Sequence, residues 1–185
     1  MKRVLAVVGM PGSGKSEAVE FFKNKGIPSV RFGDLTDQTL KNLNMERNEA
    51  NEKLAREQLR KEKGMAVYAV FSKPKIGKLL STHNMVVLDG LYSWEEYRYL
   101  LKEFKHLVLL AVYSSPSIRY ERLAKRLVRP LTVKESRKRD VAEIEYLNKG
   151  GPIALCDYLI RNETTKEKFY QKLKTFISLL ENDSL

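Results

Sequence analysis

The sequence is poor in several residue types, and each scarcity excludes a class of protein. Its 185 residues contain one cysteine, Cys156, which excludes an internal disulfide and indicates a reducing, cytoplasmic setting. The apolar run from Val4 to Val8 is too short for a signal-peptide core, and no later run approaches a membrane span, so no membrane partner is expected. The two histidines, His83 and His106, lack the spacing of a metal site.

Acidic side chains are also in deficit. The chain has 23 Asp and Glu against 34 Lys and Arg, a formal net charge of +11. Such a surplus attracts nucleotides, coenzyme phosphates or RNA, although a basic surface that serves only solubility would show the same composition. Hydrophobic residues make up 43% of the chain, which is globular rather than disordered. Its length predicts one domain, residues 1–185, and is too short for two of ordinary size.

Apolar runs rich in β-branched residues alternate with segments of helical period. This alternation predicts an α/β fold with a five-stranded parallel sheet covered by helices on both faces. The shortest run, "IPSVRFGD", is predicted to pair beside the first strand. Two helical insertions are expected, at about 36–80 and, rich in arginine, at about 117–150. The predicted strands are "RVLAVVG" at 3–9, "IPSVRFGD" at 27–34, "MVVLDG" at 85–90, "LVLLAVY" at 107–113 and "DYLIRN" at 157–162.

A glycine-rich turn separates the first strand from a predicted helix. It matches G-x-x-x-x-G-K-[ST] in full, in the strand-to-helix context that a P-loop requires, and a chance turn is the weaker interpretation. Glycines let successive amides point at phosphates, Lys15 reaches the β- and γ-phosphates, and the Ser16 hydroxyl ligates Mg²⁺. The predicted ATP-binding residues are Gly9, Met10, Pro11, Gly12, Ser13, Gly14, Lys15 and Ser16.

Asp89 ends the apolar strand "MVVLD". A carboxylate beside a buried strand is costly without a partner, and next to a P-loop it commonly holds the hydration shell of Mg²⁺. A simple cap of the following turn is the alternative. Asp89 and Ser16 are therefore the predicted metal residues, with ATP and Mg²⁺ as cofactors.

The reaction must be inferred from other residues. Neither "NKGI" at 24 nor "NKGG" at 148 has the Asp of a guanine-reading motif, so a switch GTPase is not indicated. "SIRYERLAKRLVRP" places Arg119, Arg122, Arg126 and Arg129 within roughly 80° of one another on a helix that is expected to be interrupted at Arg129. A solvated basic face would show the same spacing, but phosphoryl transfer needs several cations around the transferred group.

The motifs "GMPGSGKS", "FGDL", "VVLDG", "ERLAKR" and "DYLIRNE" together resemble the nucleoside monophosphate kinase family. The chain is especially similar to small archaeal adenylate-kinase-related P-loop proteins, and its end resembles dephospho-coenzyme A kinases. The resemblance implies a core, an acceptor-binding insert at 36–80 and an arginine-bearing lid at 117–150.

The resemblance also implies roles for individual residues. Gly33 and Asp34 stand at the entrance of the acceptor pocket. Gly90 and Tyr92 are further predicted substrate-binding residues, and the Tyr92 ring either stacks on an acceptor base or simply packs. Arg60 is the candidate for the acceptor phosphate, with Arg56 second. The predicted catalytic residues are Lys15, Arg122 and Arg126 on the ATP phosphates and Arg137, or alternatively Arg139, on the transferred phosphoryl group.

Two acceptor-binding arginines of adenylate kinases are absent. One position holds Asp37, and "GLYS" stands where those enzymes have G-F-P-R. We therefore expect a Mg-ATP-dependent phosphotransferase whose acceptor is a nucleoside monophosphate or a nucleotide-like coenzyme precursor. The alternative is an ATP-switched RNA or ribonucleoprotein binding factor with slow ATPase activity, which the charge of +11 favours.

Overall fold

The computed structural model describes residues 2–128 and 130–182. Within these residues, strands and helices alternate as the sequence predicts. The strands are β1 (Arg3–Val8), β2 (Ser29–Arg31), β3 (Met85–Asp89), β4 (Leu107–Tyr113) and β5 (Tyr158–Arg161). The helices are α1 (Lys15–Asn24), α2 (Asp34–Asn42), α3 (Glu49–Lys63), α4 (Val67–Thr82), α5 (Trp94–Glu103), α6 (Pro116–Ala124), α7 (Val133–Glu145), α8 (Gly150–Ala154) and α9 (Lys166–Glu181).

The strands form one five-stranded parallel sheet, which confirms the predicted fold class. Its order, β2-β3-β1-β4-β5, corrects the prediction that β2 pairs with β1. Both edges of β1 are occupied, since Val7 pairs with Asp89 of β3 on one side and with Leu110 of β4 on the other. Strand β2 therefore pairs with β3, and Arg31 lies directly beside Asp89.

Two apolar layers cover the sheet. Alternate residues of β1 point to opposite faces, as the pleat requires. Val4, Ala6 and Val8 contribute to a core that includes side chains of α3, α4 and α5, whereas Leu5 and Val7 join a second core with α1 and α9. Helices on both faces leave the carboxyl edge of the sheet open for a ligand, as is usual in parallel α/β folds.

The segment between β2 and β3 is wholly helical apart from short turns. Of the leucines in this segment, Leu35, Leu40 and Leu59 are buried, while Leu43 and Leu54 are about half exposed. Helix α4 returns the chain to the core through Tyr68 and Ile76. No helix among residues 2–128 and 130–182 combines the length and apolar character needed to cross a membrane.

Candidate functional site

The glycine-rich turn between β1 and α1 is held in a conformation that side chains would obstruct. Gly9 has φ +145° and Gly12 has φ +80°, values that favour glycine. A Cβ on Gly9 would collide with the carbonyl oxygen of Val112, and one on Gly12 would lie 2.7 Å from the carbonyl oxygen of Arg119. The loop thus packs directly on the ends of β4 and α6, and it can keep this curvature only with glycine at both positions.

Helix α1 begins immediately after the loop with its first amides uncapped by a side chain. Gly14 is the N-cap and provides no side-chain hydrogen bond. Unpaired amides and the helix dipole favour an anion at this point. Ser16 lies exposed in the first turn, where its hydroxyl can reach a bound ligand. Residues 9–16 of the loop and helix end therefore form a cradle whose amides suit a phosphate.

Lys15 is the principal cation of the cradle. Its Nζ donates a hydrogen bond to the carbonyl oxygen of Met10 at 3.0 Å, which places the ammonium group across the loop. Burial lowers its pKa well below the usual value, and the positive charges of Lys149 and Arg139 lower it further, against the opposing effects of Glu143 and Asp89. A bound polyphosphate would relieve this electrostatic cost.

Asp89 lies at the carboxyl end of β3, beside β1 and β2 in the sheet. Burial raises the pKa of its carboxyl group, while Arg31 and Lys15 oppose that shift. A hydroxyl on Ser16 and a carboxylate on Asp89 are the hard oxygen ligands that Mg²⁺ uses together with phosphates, so the residues fit a Mg-nucleotide. Among the described residues, no group of three or more His, Cys, Asp or Glu is placed to hold a metal ion without such a ligand.

Residues that follow β4 and β5, distant from the loop in sequence, support the cradle. Asn162 Nδ2 donates to the carbonyl oxygen of Ser13 at 2.8 Å. Arg122 donates to Ser114 Oγ and to the carbonyl oxygen of Asn162, each at 3.0 Å, and approaches the carbonyl oxygen of Gly12 at 3.4 Å. Arg122 therefore lies against the P-loop, while its contact with ATP phosphates stays a prediction. Asn162 and Ser114 were not predicted, although "DYLIRNE" was one of the motifs that carried the resemblance.

Arg119 has a different environment from the other arginines of its segment. Its buried guanidinium forms a two-point ion pair with Asp140 of α7 at 2.9 and 2.6 Å. It also donates to the carbonyl oxygens of Pro11 and Ser114, at 3.0 and 3.1 Å. Because these contacts occupy the fork, Arg119 joins α6, α7 and the P-loop.

Helix α6 is shorter than predicted. It ends at Ala124, so Arg126 lies beyond the helix and not on a shared face with Arg119 and Arg122. The amide of Leu131, which lies outside the helix, donates to the carbonyl oxygen of Leu123, which a continued helix would have to offer to residue 127. Arg126 is exposed, and its contact with ATP phosphates stays a prediction. Arg129 falls outside the described residues.

The two arginines considered for the transferred phosphoryl group lie on different sides of α7. Arg137 lines a shallow outward hollow with Lys134, Lys138 and Tyr146. Arg139 donates to Glu143 at 3.3 Å, and its charge acts on Lys15. The structure thus places Arg139 nearer the cradle, while the catalytic role of either arginine stays a prediction.

Lys149 is a functional candidate that sequence reasoning missed. Its side chain is 2% exposed, and its Nζ pairs closely with Glu143. The same Nζ lies 5.3 Å from the ring centroid of Tyr92. Its only sequence signal was the "NKGG" at 148, which was considered solely as a guanine motif.

A charged cluster surrounds the entrance predicted for the acceptor. Asp34 begins α2 and accepts from Arg31 at 3.3 Å and from Lys75 Nζ at 3.1 Å. Arg31 also donates to Asp37 at 2.6 Å. Asp37 replaces an arginine of the adenylate kinases, and here a guanidinium from β2 lies against it. Gly33 immediately precedes this cluster.

Arg60 and Tyr92 lie in buried surroundings. Arg60 stands 5.0 Å from the Tyr68 ring centroid and 3.9 Å from Glu96. Burial raises the pKa of Glu96 to about 7, against the effect of hydrogen bonds from the amides of Tyr92 and Ser93. The Tyr92 ring packs on Gly90, and burial raises its pKa. The second arginine considered, Arg56, forms ion pairs with Glu49 and Glu52.

Comparison with known proteins identifies the family of the chain. A family model described as "AAA domain" matches residues 5–144. A UPF0200 protein of Thermococcus sibiricus is 35% identical over 175 residues, which cover 92% of each chain. The chain belongs to the UPF0200 family. This confirms the resemblance to archaeal P-loop proteins noted from the sequence.

Solved structures show the same fold for this UPF0200 protein. A shikimate kinase from Bacteroides thetaiotaomicron superposes with a TM-score of 0.59 at 13% identity, covering 96% of this chain and 99% of the other. A gluconokinase from Sinorhizobium meliloti gives a TM-score of 0.56 at 16% identity, covering 99% and 98%. At these identities the likeness establishes a P-loop kinase-like fold and leaves the acceptor open.

Proposed function

We propose that this UPF0200 protein is a Mg-ATP-dependent phosphotransferase whose acceptor is a nucleoside monophosphate or a nucleotide-like coenzyme precursor. The observation that carries the proposal is the arrangement around Lys15. The P-loop lysine lies within electrostatic reach of Asp89 on the metal side and of Arg139 and Lys149 from the 117–150 segment. The kinase-like fold supports the same reaction class.

The donor side would hold ATP through the loop amides, the α1 N-terminus and Lys15, with Arg122 supporting the loop. Mg²⁺, held through Ser16 and Asp89, would neutralise phosphate charge when bound. Cations from two sides can then stabilise the charge on the group in transfer, which is where most of the catalysis in phosphoryl transfer arises.

The acceptor side would lie between α2, α3 and the loop after β3. Arg31, Lys75 and Arg60 bring positive charge to this region, which suits an anionic acceptor. Asp34 has a carboxylate within the same cluster that can accept a hydrogen bond from an acceptor hydroxyl. These contacts support an acceptor with both a phosphate and a hydroxyl group.

The direct test is phosphoryl transfer from labelled ATP to a panel of nucleoside monophosphates and dephospho-coenzyme A. A labelled acceptor is expected, and Lys15→Ala should lose the product while it keeps the circular dichroism and thermal unfolding of the wild type. Lys125→Ala is the matched control, because Lys125 is exposed and pairs only with its neighbour Glu121 in the described contacts. Release of inorganic phosphate alone with every acceptor would refute the proposal.

An ATP-switched RNA or ribonucleoprotein binding factor is the second candidate. The net charge of +11 and the exposed basic side chains Lys134, Arg137 and Lys138 on α7 favour it. RNA held by phosphate contacts should dissociate steeply as salt rises. Fluorescence anisotropy with a labelled single-stranded RNA would measure this, and no binding even at low salt excludes the candidate.

A further inference from the structure

A buried pair of charges lies beside the cradle and has no role in the donor contacts described above. Lys149 and Glu143 are in close ionic contact, and their side chains are only 2% and 13% exposed. Arg139 shares the same carboxylate, at 3.3 Å. The Glu143 carboxylate therefore pairs with two cations, Lys149 and Arg139, whereas a simple ion pair has one cation for each carboxylate.

The backbone positions this pair against the loop that follows β3. The amide of Lys149 donates to the carbonyl oxygen of Glu143 at 3.2 Å, and the amide of Trp94 donates to the carbonyl oxygen of Leu147 at 3.3 Å. These bonds place Lys149 Nζ over the Tyr92 ring, three residues beyond Asp89 in the chain. The ammonium group thus lies against the loop that follows Asp89, the predicted metal-side carboxylate.

The charge of Lys149 acts on both the donor and the acceptor side. The charge of Lys149 acts on Lys15 of the donor cradle and also on Glu96, next to Arg60 on the acceptor side. A lysine buried among other cations is costly unless an anion meets it. Glu143 supplies part of that negative charge, and a phosphoryl group passing between donor and acceptor would supply more.

We propose that Lys149 contacts the phosphoryl group during transfer, and that Glu143 is a positioning residue that holds Lys149 and Arg139 before nucleotide binds. The inference rests on the proposed phosphotransferase function and names a further cation for it. Transfer breaks the bond between the γ-phosphorus and its bridging oxygen and forms one to the acceptor oxygen. The bridging oxygen leaves with ADP. Where the acceptor oxygen is an ionised phosphate oxygen no proton is lost, and where it is a hydroxyl its proton passes to the carboxylate of Asp34. Lys149 would balance the charge on the three non-bridging oxygens.

The test compares the affinity for Mg-ADP with that for Mg-ADP plus aluminium fluoride, a planar mimic of the phosphoryl group in transfer. We expect Lys149→Met to change ADP affinity less than about threefold and to weaken the fluoride complex about 100-fold, the usual effect of removing one transition-state donor. Lys149→Arg should recover part of the loss because it keeps the charge. Lys125→Met is the matched control, an exposed lysine that should leave both affinities unchanged.

Equal weakening of both complexes, or no change in either, would overturn the proposal, since a merely structural lysine does not distinguish them. If Lys149→Met does not fold, Glu143→Gln decides. Because Glu143 positions Lys149 and Arg139, this change should weaken the fluoride complex relative to ADP, and an unchanged ratio overturns the inference. If the wild type binds both ligands but no acceptor is phosphorylated, the proposed function fails while the affinity ratio still tests Lys149.

Discussion

Replacing Arg119 by methionine should strongly destabilise the protein, although the sequence places this arginine among the candidates for phosphate binding. Its guanidinium is buried and makes four hydrogen bonds, two to Asp140 and one each to the carbonyl oxygens of Pro11 and Ser114. Methionine has a similar apolar stem but makes none of these bonds. The variant therefore leaves the Asp140 carboxylate buried without its charge partner.

The expected loss of unfolding free energy is about 4 kcal/mol, because removing one partner of a buried ion pair costs about 3–5 kcal/mol. Tyr120 Oη still donates to Asp140 at 2.9 Å, so the carboxylate keeps one hydrogen bond and the loss should not exceed this range. Arg119→Lys should restore only part of the unfolding free energy that Arg119→Met loses, since an ammonium group cannot reproduce the two-point geometry of the guanidinium.

Urea or guanidinium denaturation of the wild type, Arg119→Met, Asp140→Leu and the double variant would measure the effect. The double variant should lose less unfolding free energy than the two single variants added together, because removing both side chains leaves no unpaired buried charge. Arg161→Met is the matched control: Arg161 is 67% exposed and pairs with Glu163, and its loss should cost less than about 1 kcal/mol. A loss below about 1.5 kcal/mol for Arg119→Met, or strict additivity, would refute the reasoning.

Three further changes test other parts of the site. Gly12→Ala should weaken ATP binding at least about tenfold by isothermal titration, because the new methyl would press on the Arg119 carbonyl at a positive φ; unchanged affinity would contradict the cradle geometry. Arg126→Ala should lower kcat more than it raises the Kd for ATP, since a lid cation acts on charge that develops in transfer, and equal losses would count against that role. Glu96→Gln should flatten the pH dependence of stability. The folded-state pKa of Glu96, about 7, lies above the ordinary value of 4.5. The folded protein therefore holds this proton more tightly than the unfolded chain, and the free energy of unfolding of the wild type falls by up to about 3 kcal/mol as pH rises from 4.5 through 7. Denaturation of both proteins at pH 5 and pH 8 would measure the difference, and parallel pH profiles would show that Glu96 does not titrate in this window.

Much of the fold could be predicted because its signals are local. Each of the five strands coincides with an apolar run, and the P-loop is a contiguous motif whose glycines have the positive φ values that the motif requires. The pairing of β2 could not be predicted in the same way. Whether β2 lies beside β1 or β3 depends on which edges the other strands occupy, and the answer places Arg31 next to Asp89.

The candidate site also contains residues that local sequence indicates and residues that only tertiary packing brings together. Lys15, Ser16 and Asp89 could be proposed from residue type and local context alone, and their roles toward a nucleotide stay predictions. The spacing of the arginines was not sufficient to predict which of them share a helix face. Helix α6 ends early, where the amide of Leu131 donates to the carbonyl oxygen of Leu123, and the guanidinium of Arg119 is paired with Asp140. Leu131 and Asp140 both lie outside α6, and no periodicity within α6 encodes them.

Local sequence alone determined that this chain builds a parallel α/β core around a phosphate-binding loop, because strand, turn and helix preferences act over a few residues. Only the tertiary structure decided which charges meet at that loop. Lys149 and Glu143 come from a distant part of the chain, and their burial, their pairing and their effect on the pKa of Lys15 arise only when the elements pack together. The hydrogen bond from Asn162 to the carbonyl oxygen of Ser13 arises in the same way.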